Sequence, residues 1–314
     1  MTCLITGSTG LIGAALVRRF AADGHAVVAA ARNVEKAKEM FAGLENVRIV
    51  EWDVTRPVPA VLSRSSATDC PVDWLVHAAS ETSSRAFVED PDGVRRVIVE
   101  GTRNVLAFAK AARVKSMVYL STFEVMLGLK GVRASYPDAK FAAEGLCRAS
   151  GLNVSIARLA QTFGEGVRYD DGRVFAEFAR AILEKRDIVL KTEGTTARCY
   201  CYLGDAVEAI RILLEKGVRG EAYTVANEGT YCTIREMAEM LIAAHPESGS
   251  KLVIDTADAA ARGFAPPFQM KLDSSPLRAL GWQPQVGLVE MYDRMMAGMQ
   301  LRTAAETSAV RSIK

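Results

Sequence analysis

The stretch Thr6-Gly7-Ser8-Thr9-Gly10-Leu11-Ile12-Gly13 decides the fold. It follows the apolar run Cys3-Leu4-Ile5 and opens into Leu11-Ile12-Gly13-Ala14-Ala15-Leu16-Val17, whose spacing reads as a buried helix. A strand, a tight turn and a helix N-terminus therefore come in register. Gly7 permits the turn, Gly10 lets the backbone approach a ligand with no side chain in the way, and Gly13 lets the helix pack close to the strand. The unpaired first amides and positive dipole end of such a helix suit a dinucleotide pyrophosphate. Gly7, Thr9, Gly10, Leu11, Ile12 and Gly13 are thus the candidate cofactor cradle. An ordinary tight turn also carries glycines, and it is the flanking strand and helix that separate the two readings.

Outward from this turn, strand and helix patterns alternate up to about Arg158, with no repeat and no low-complexity linker. That alternation predicts an α/β fold: a Rossmann-type, doubly wound parallel sheet covered by helices on both faces. Beyond Gly164 the pattern changes to a polar loop, Glu165 to Gly172, and then a helix from Val174 to Lys185. A helix near Asp205 and a strand from Ala222 to Ala226 read as a return to the sheet. The expected division is a dinucleotide-binding domain over 1–163 with 201–228 returning to it, and a smaller C-terminal substrate lobe over 164–200 and 229–302. Residues 303–314 carry no apolar period and are expected to fray.

Composition narrows the function. Lys and Arg number 39 against 37 Asp and Glu, a formal charge of +2, which argues against a nucleic-acid surface or an acidic tail. No run reaches the ~18 to 20 apolar residues of a membrane span, and the first strand starts too early for a signal peptide, so the expected location is the cytoplasm. The six cysteines, at 3, 70, 147, 199, 201 and 232, and the histidines His25, His77 and His245 show no metal-ligand spacing. Cys199 and Cys201 share one face of an alternating strand, the pattern of a packed strand. His77, directly after a buried strand, reads as a satisfied structural histidine.

Chemistry enters with Tyr136-Pro137-Asp138-Ala139-Lys140. Positions i and i+4 share a helix face, so the ammonium can lie by the phenol. A free tyrosine titrates near ~10, and a neighbouring cation favours the phenolate, bringing base catalysis within reach of neutrality. Tyrosine and lysine at this spacing also occur by chance on helix surfaces. Their weight here comes from the dinucleotide turn and from the strand Tyr119-Leu120-Ser121-Thr122 just before them.

With its G-x-x-G-x-x-G spacing, the chain resembles the extended, nucleotide-sugar-modifying branch of the short-chain dehydrogenase/reductase superfamily over nearly its whole length. Asp53-Val54 stands where that family contacts adenine, His77-Ala78-Ala79-Ser80 matches its segment beside the cofactor, and Gly101-Thr102-Arg103-Asn104 fits its G-T-x-N pattern. Leu280-Gly281-Trp282-Gln283-Pro284 is similar to part of its substrate lobe. The resemblance implies that Tyr136 takes the proton of a sugar hydroxyl while hydride leaves the same carbon, that Lys140 holds the nicotinamide ribose, and that Thr122 bonds the reacting oxygen. Thr122 is preferred to Ser121 by counting back from Val125 in the family's S-S-x-x-V-Y-G pattern; Ser121 would then be a strand-end hydroxyl satisfying backbone. The resemblance also implies a homodimer.

The outcome of the reaction turns on residues around Thr122. The family's 4,6-dehydratases show T-D-E where this chain has Thr122-Phe123-Glu124, so the acid is missing; its UDP-glucuronate decarboxylases show T-S-E, which Glu124 fits. Arg158-Leu159-Ala160-Gln161-Thr162-Phe163-Gly164, Asp171-Gly172-Arg173-Val174 and the stretch from Thr196 to Asp205 are also similar to the decarboxylases, which implies Gln161, Arg173 and Arg198 as contacts to nucleotide and diphosphate. A surface salt bridge is the alternative for Arg173. Met126, Leu159 and Pro137-Asp138-Ala139 depart from the family pattern. At the end of the second strand Arg32-Asn33 replaces the acidic residue of NAD-specific members, which favours NADP over NAD. The expected function is a nucleotide-sugar epimerase working through a transient keto intermediate. The alternatives are a decarboxylase, dehydratase or 4-keto-reductase on the same site, and, in a different class, a dinucleotide-sensing regulator that would not need the tyrosine–lysine pair.

Overall fold

The computed structural model describes residues 1–63, 72–128, 134–257 and 266–312. Cys70 lies outside them. The chain divides into two compact units, the first Met1–Leu159, Ala206–Val225 and Ser275–Trp282, the second Ala160–Asp205, Ala226–Ser274 and Gln283–Lys314.

The first unit is built on a seven-stranded sheet. Its strands are β1 (Thr2–Thr6), β2 (Ala26–Ala31), β3 (Val47–Glu51), β4 (Trp74–His77), β5 (Ser116–Thr122), β6 (Val154–Leu159) and β10 (Ala222–Val225), in the order β10-β6-β5-β4-β1-β2-β3. Every pairing is parallel. This is the doubly wound sheet that the alternation predicts. All residues of β1, β4 and β5 are buried, as strands covered on both faces must be. The strand order reverses between β1 and β4, and in such sheets the carboxyl ends flanking the reversal open the crevice that takes ligands. Thr6 pairs with His77 there.

Five helices of this unit bear on the site: α1 (Leu11–Ala22), α2 (Val34–Met40), α4 (Ser84–Glu89), α6 (Gly101–Ala111) and α7 (Ser135–Ala149). A short α3 (Ala60–Ser63) lies between α2 and α4, and α5 (Pro91–Arg95) leads through one π turn, Arg96–Glu100, into α6.

In the second unit β7 (Gln161–Phe163), β9 (Ala197–Tyr202), β11 (Asn227–Thr233) and β13 (Gln269–Met270) form a mixed sheet, and β8 (Ile188–Leu190) pairs with β12 (Leu252–Ile254). Its helices are α8 (Val174–Leu183), α10 (Ile234–Ala244) and α12 (Leu288–Ser312), while α9 (Leu203–Lys216) and α11 (Ser275–Ala279) complete the chain. Cys199 and Cys201 are both buried on β9.

Two boundaries differ from the sequence expectation. Gln161–Phe163 belongs to the second unit, because it pairs with Tyr200–Tyr202 of β9. Leu280-Gly281-Trp282 belongs to the first, with Trp282 fully buried and the Leu280 carbonyl accepting from Lys216 Nζ at 3.0 Å. The last helix runs to Ser312, in a stretch rich in Ala, Arg and Glu that has no Gly or Pro after Gly298. Among the described residues no helix is long and apolar enough to cross a membrane.

Candidate active site

The turn after β1 is held by the absence of side chains. Gly7 has φ +67°, and a Cβ there would stand 2.6 Å from the Ala79 amide nitrogen. A Cβ at Gly13 would stand 2.2 Å from the Gly7 carbonyl oxygen. Both contacts are with backbone, so neither can yield cheaply. Gly10 is different: a Cβ there meets only the Gly7 oxygen, at 3.3 Å. Gly10 is the N-cap of α1 and no side chain caps the helix, which leaves its first amides without intrahelical partners. Ser8 is turned inward, its hydroxyl donating to the Ala30 carbonyl at 2.9 Å.

Beneath the turn lies a relay that the sequence pattern did not reveal. Thr102 Oγ1 donates its one proton to the Ile98 carbonyl at 2.6 Å, so it must accept from His77 Nε2–H at 3.1 Å. Nδ1 of His77 is therefore unprotonated and accepts from the Thr6 hydroxyl at 2.8 Å, while Thr6 Oγ1 accepts from the Ala79 amide at 3.3 Å. Every polar atom of the ring is satisfied in one tautomer. Burial, reinforced by the charge of Lys140, holds the His77 pKa down to about 3, so the ring is neutral. His77 is a structural histidine, joining β1, β4 and α6 across the strand-order reversal.

Of the other expected cofactor residues, Arg32 and Asn33 are exposed at the end of β2. The Asn33 carboxamide caps α2, accepting from the Lys36 amide at 2.9 Å. Burial pushes the Asp53 carboxyl up, but hydrogen bonds from Thr55 and the charges of Arg32 and Arg56 hold it below the usual range. Val54 is buried, its carbonyl accepting from Asn104 Nδ2 at 2.8 Å and its side chain packed where a Cβ at Gly101 would lie 2.7 Å away. Ala78, Ala79 and Ser80 continue from β4, half-buried.

At the end of β5, Thr122 caps a single 3-10 turn, Phe123–Met126, accepting from the Glu124 amide at 3.3 Å. Tyr136 stands at the start of α7, its ring stacked on Phe87 with centroids 4.5 Å apart. Lys140 is 3% exposed and its Nζ donates to the Leu120 carbonyl at 2.7 Å, 5.0 Å from the Tyr119 ring centroid and 5.8 Å from that of Tyr136. Burial pulls its ammonium down to about 7. Tyr136, Lys140 and the end of β5 thus come together.

Ser121 departs from expectation. Its hydroxyl donates not to backbone but to Glu144 Oε1, at 2.7 Å. Glu144 is 0% exposed and also receives Arg158 and Arg148. A signal existed: Tyr136, Lys140 and Glu144 recur every four residues on one helix face, and Arg158 sits inside an apolar strand.

The expected substrate contacts all lie in the second unit. Gln161 opens β7, half-buried. Arg173 pairs with Asp171 through two hydrogen bonds of 2.9 and 2.5 Å, the salt-bridge alternative, and lies over the Phe175 ring. Arg198, on β9, stacks over Phe268 at 5.4 Å, and its Nε is buried with no hydrogen-bond partner among the described residues.

Comparison with known proteins identifies the family of the chain. UDP-glucuronic acid decarboxylase 6 of Arabidopsis thaliana is 28% identical over 328 residues, covering 96% of this chain and 90% of that enzyme. Among solved structures, the UDP-glucuronic acid 4-epimerase of Bacillus cereus, in complex with UDP-glucuronic acid and NAD, superposes with a TM-score of 0.79 at 19% identity, over 96% of this chain and 99% of that one. The UDP-glucose 4-epimerase of Thermotoga maritima does so with a TM-score of 0.79 at 21% identity, over 96% and 100%. The family model for NAD dependent epimerases and dehydratases matches residues 3–226, well over half of the 314, and the chain belongs to the NAD dependent epimerase/dehydratase family.

Proposed function

We propose that this enzyme acts on a nucleotide-activated sugar by transient oxidation of a ring hydroxyl to a ketone, and that the net result is epimerisation. The observation that carries the reading is the buried Lys140, fixed to the end of β5 and 5.8 Å from the ring of Tyr136. Its charge stabilises the phenolate form, so Tyr136 removes the hydroxyl proton. Thr122 Oγ accepts from the Glu124 amide and keeps its own proton to donate to the reacting oxygen.

The residues of the turn fit a dinucleotide. Gly7 and Gly13 are closed against backbone, whereas Gly10 has room on the side of the uncapped amides. Bound there, a nicotinamide dinucleotide supplies a hydride acceptor that is restored within each turnover. Asp53 and Val54 lie where adenine would rest, Ala78 to Ser80 flank the dinucleotide, and the cationic Arg32 suits a 2′-phosphate, so NADP is the preferred form. Gln161, Arg173 and Arg198 hold the nucleotide and diphosphate; the unpartnered Arg198 Nε is a donor that a phosphate oxygen would satisfy.

Epimerisation asks for no group beyond these, only that the keto intermediate turn before reduction. Decarboxylation is the second reading, favoured by Glu124 two residues past Thr122 and by the likeness to the plant decarboxylases along nearly the whole chain. A panel of UDP-, dTDP-, GDP- and CDP-sugars, with products identified by mass and NMR, tests both. A product of unchanged mass and inverted configuration is expected. Release of carbon dioxide or water that Glu124→Gln abolishes would overturn epimerisation in favour of the second reading.

A further inference from the structure

We propose that Glu144 is a positioning residue for the Tyr136–Lys140 pair, acting through Ser121 and Lys140 rather than on substrate; this rests on the reading of that pair given above. Tyr136, Lys140 and Glu144 follow at four-residue steps along α7, so all three face the end of β5. Successive residues of β5 receive the last two: the Leu120 carbonyl accepts from Lys140, and the Ser121 hydroxyl donates to Glu144, each at 2.7 Å. Thr122 comes next. Side chains alternate across a strand, so Ser121 points away from the face of Thr122, and its one proton is committed to Glu144. Thr122 is then the strand-end hydroxyl left to meet a substrate.

Glu144 is fixed on its other side. Arg158 reaches it with Nε at 2.9 Å and Nη2 at 2.7 Å, the fork that fits a carboxylate, and Arg148 adds a bond of 3.1 Å from the next turn of α7. A carboxylate this deep would be driven neutral if left alone. Although burial pushes its pKa up, the bonds from Arg158, Ser121 and Arg148 hold it below the usual range, so it is an anion near neutrality.

The groups that face Lys140 are His77 from β4, Tyr119 from β5, and Tyr136, Glu144 and Cys147 from α7. Burial holds His77 near 3, pushes Cys147 up to about 12 and raises Tyr119 well above its ordinary value, so these three are uncharged at pH 7. That leaves Glu144 as the fixed anion acting on Lys140 among them. Burial favours the neutral amine and Glu144 opposes it. The protonated amine is the form that helps the phenolate.

The test follows the Lys140 titration by NMR in lysine-labelled full-length protein, with the signal assigned through Lys140→Arg. Glu144→Gln is expected to lower the midpoint by roughly one to two pH units, the scale of a unit charge one helical turn away at an effective dielectric of ~20, and to move the alkaline limb of kcat/KM the same way. Glu144→Asp, which keeps the charge, should restore most of the shift. Ser121→Ala should leave the titration in place and lower turnover by about threefold. If Glu144→Gln does not fold, Glu144→Gln combined with Arg158→Leu removes the carboxylate together with its forked guanidinium and leaves only the part-exposed Arg148 without that partner; the midpoint still falls, because the charge that acts on Lys140 is that of Glu144 and not that of Arg158. An unmoved midpoint in the variant that folds overturns the proposal, as does a Ser121→Ala enzyme as impaired as Thr122→Ala. Failure of the catalytic reading is separate: Tyr136→Phe would then turn over normally while the Lys140 midpoint could still be read.

Discussion

The turn after β1 and the end of β5 present groups at the carboxyl edge of the same sheet by opposite means. At the turn, position is set by side chains that are not there: Gly7 and Gly13 bring backbone within 2.6 and 2.2 Å of where a Cβ would be. At the end of β5 it is set by buried charge, with Lys140 on a carbonyl and Glu144 on a hydroxyl and two guanidinia. The first device is steric, set by the close approach of Gly13 to Gly7 and of Gly7 to Ala79. The second is electrostatic and, apart from Arg148 one turn along the helix, joins residues 14 to 23 apart in sequence. The lesson is that the same edge carries one region sensitive to volume and another sensitive to charge.

The sharpest way to break this contrast is to add a methyl group at the turn. Gly13→Ala should destabilise the protein by roughly 3 kcal/mol, the upper end of overpacking costs, since the Gly7 carbonyl must move. Gly10→Ala, beside it, should change stability by less than about 1 kcal/mol, because its Cβ meets only one atom at 3.3 Å. Its effect should appear in dinucleotide affinity instead. Thermal unfolding and direct titration of both variants separate the two; equal unfolding losses would mean that the turn is not organised as described.

A smaller effect sharpens the picture at the rim of the same site. Arg32→Asp should weaken NADP relative to NAD by about 10- to 100-fold, through a lost attraction and an added repulsion at the 2′-phosphate. Titration with both dinucleotides measures the ratio, and an unchanged ratio would mean that Arg32 does not read the phosphate.

This contrast also explains what could be read in advance. The doubly wound sheet, the dinucleotide turn and the Tyr136–Lys140 face are legible because strand alternation, glycine spacing and the i, i+4 step are short-range rules. The His77 relay and the Glu144 cluster are not. Thr6, His77 and Thr102 are brought together by strand order, and Arg158 reaches Glu144 only because β6 lies beside β5. The Ser121 contact is hidden for the same reason: its partner is a helix residue 23 positions on. The division of the chain departs from the sequence pattern where strand pairing decides it. Gln161–Phe163 follows β6 after Ala160 alone, yet pairs with β9. Arg173 shows the converse, since Asp171 two residues earlier is visible in the sequence and is the partner that takes its guanidinium.

The central claim is that Tyr136 is the base of a redox-neutral conversion of a nucleotide sugar, and one variant tests it most directly. Tyr136→Phe keeps the ring, and with it the stacking on Phe87, and removes only the hydroxyl. Turnover of the converted nucleotide sugar, measured beside dinucleotide affinity by direct titration, should fall by ~10²- to 10⁴-fold while the affinity stays within about twofold. Turnover close to that of the native enzyme, with the dinucleotide bound as before, would contradict the claim.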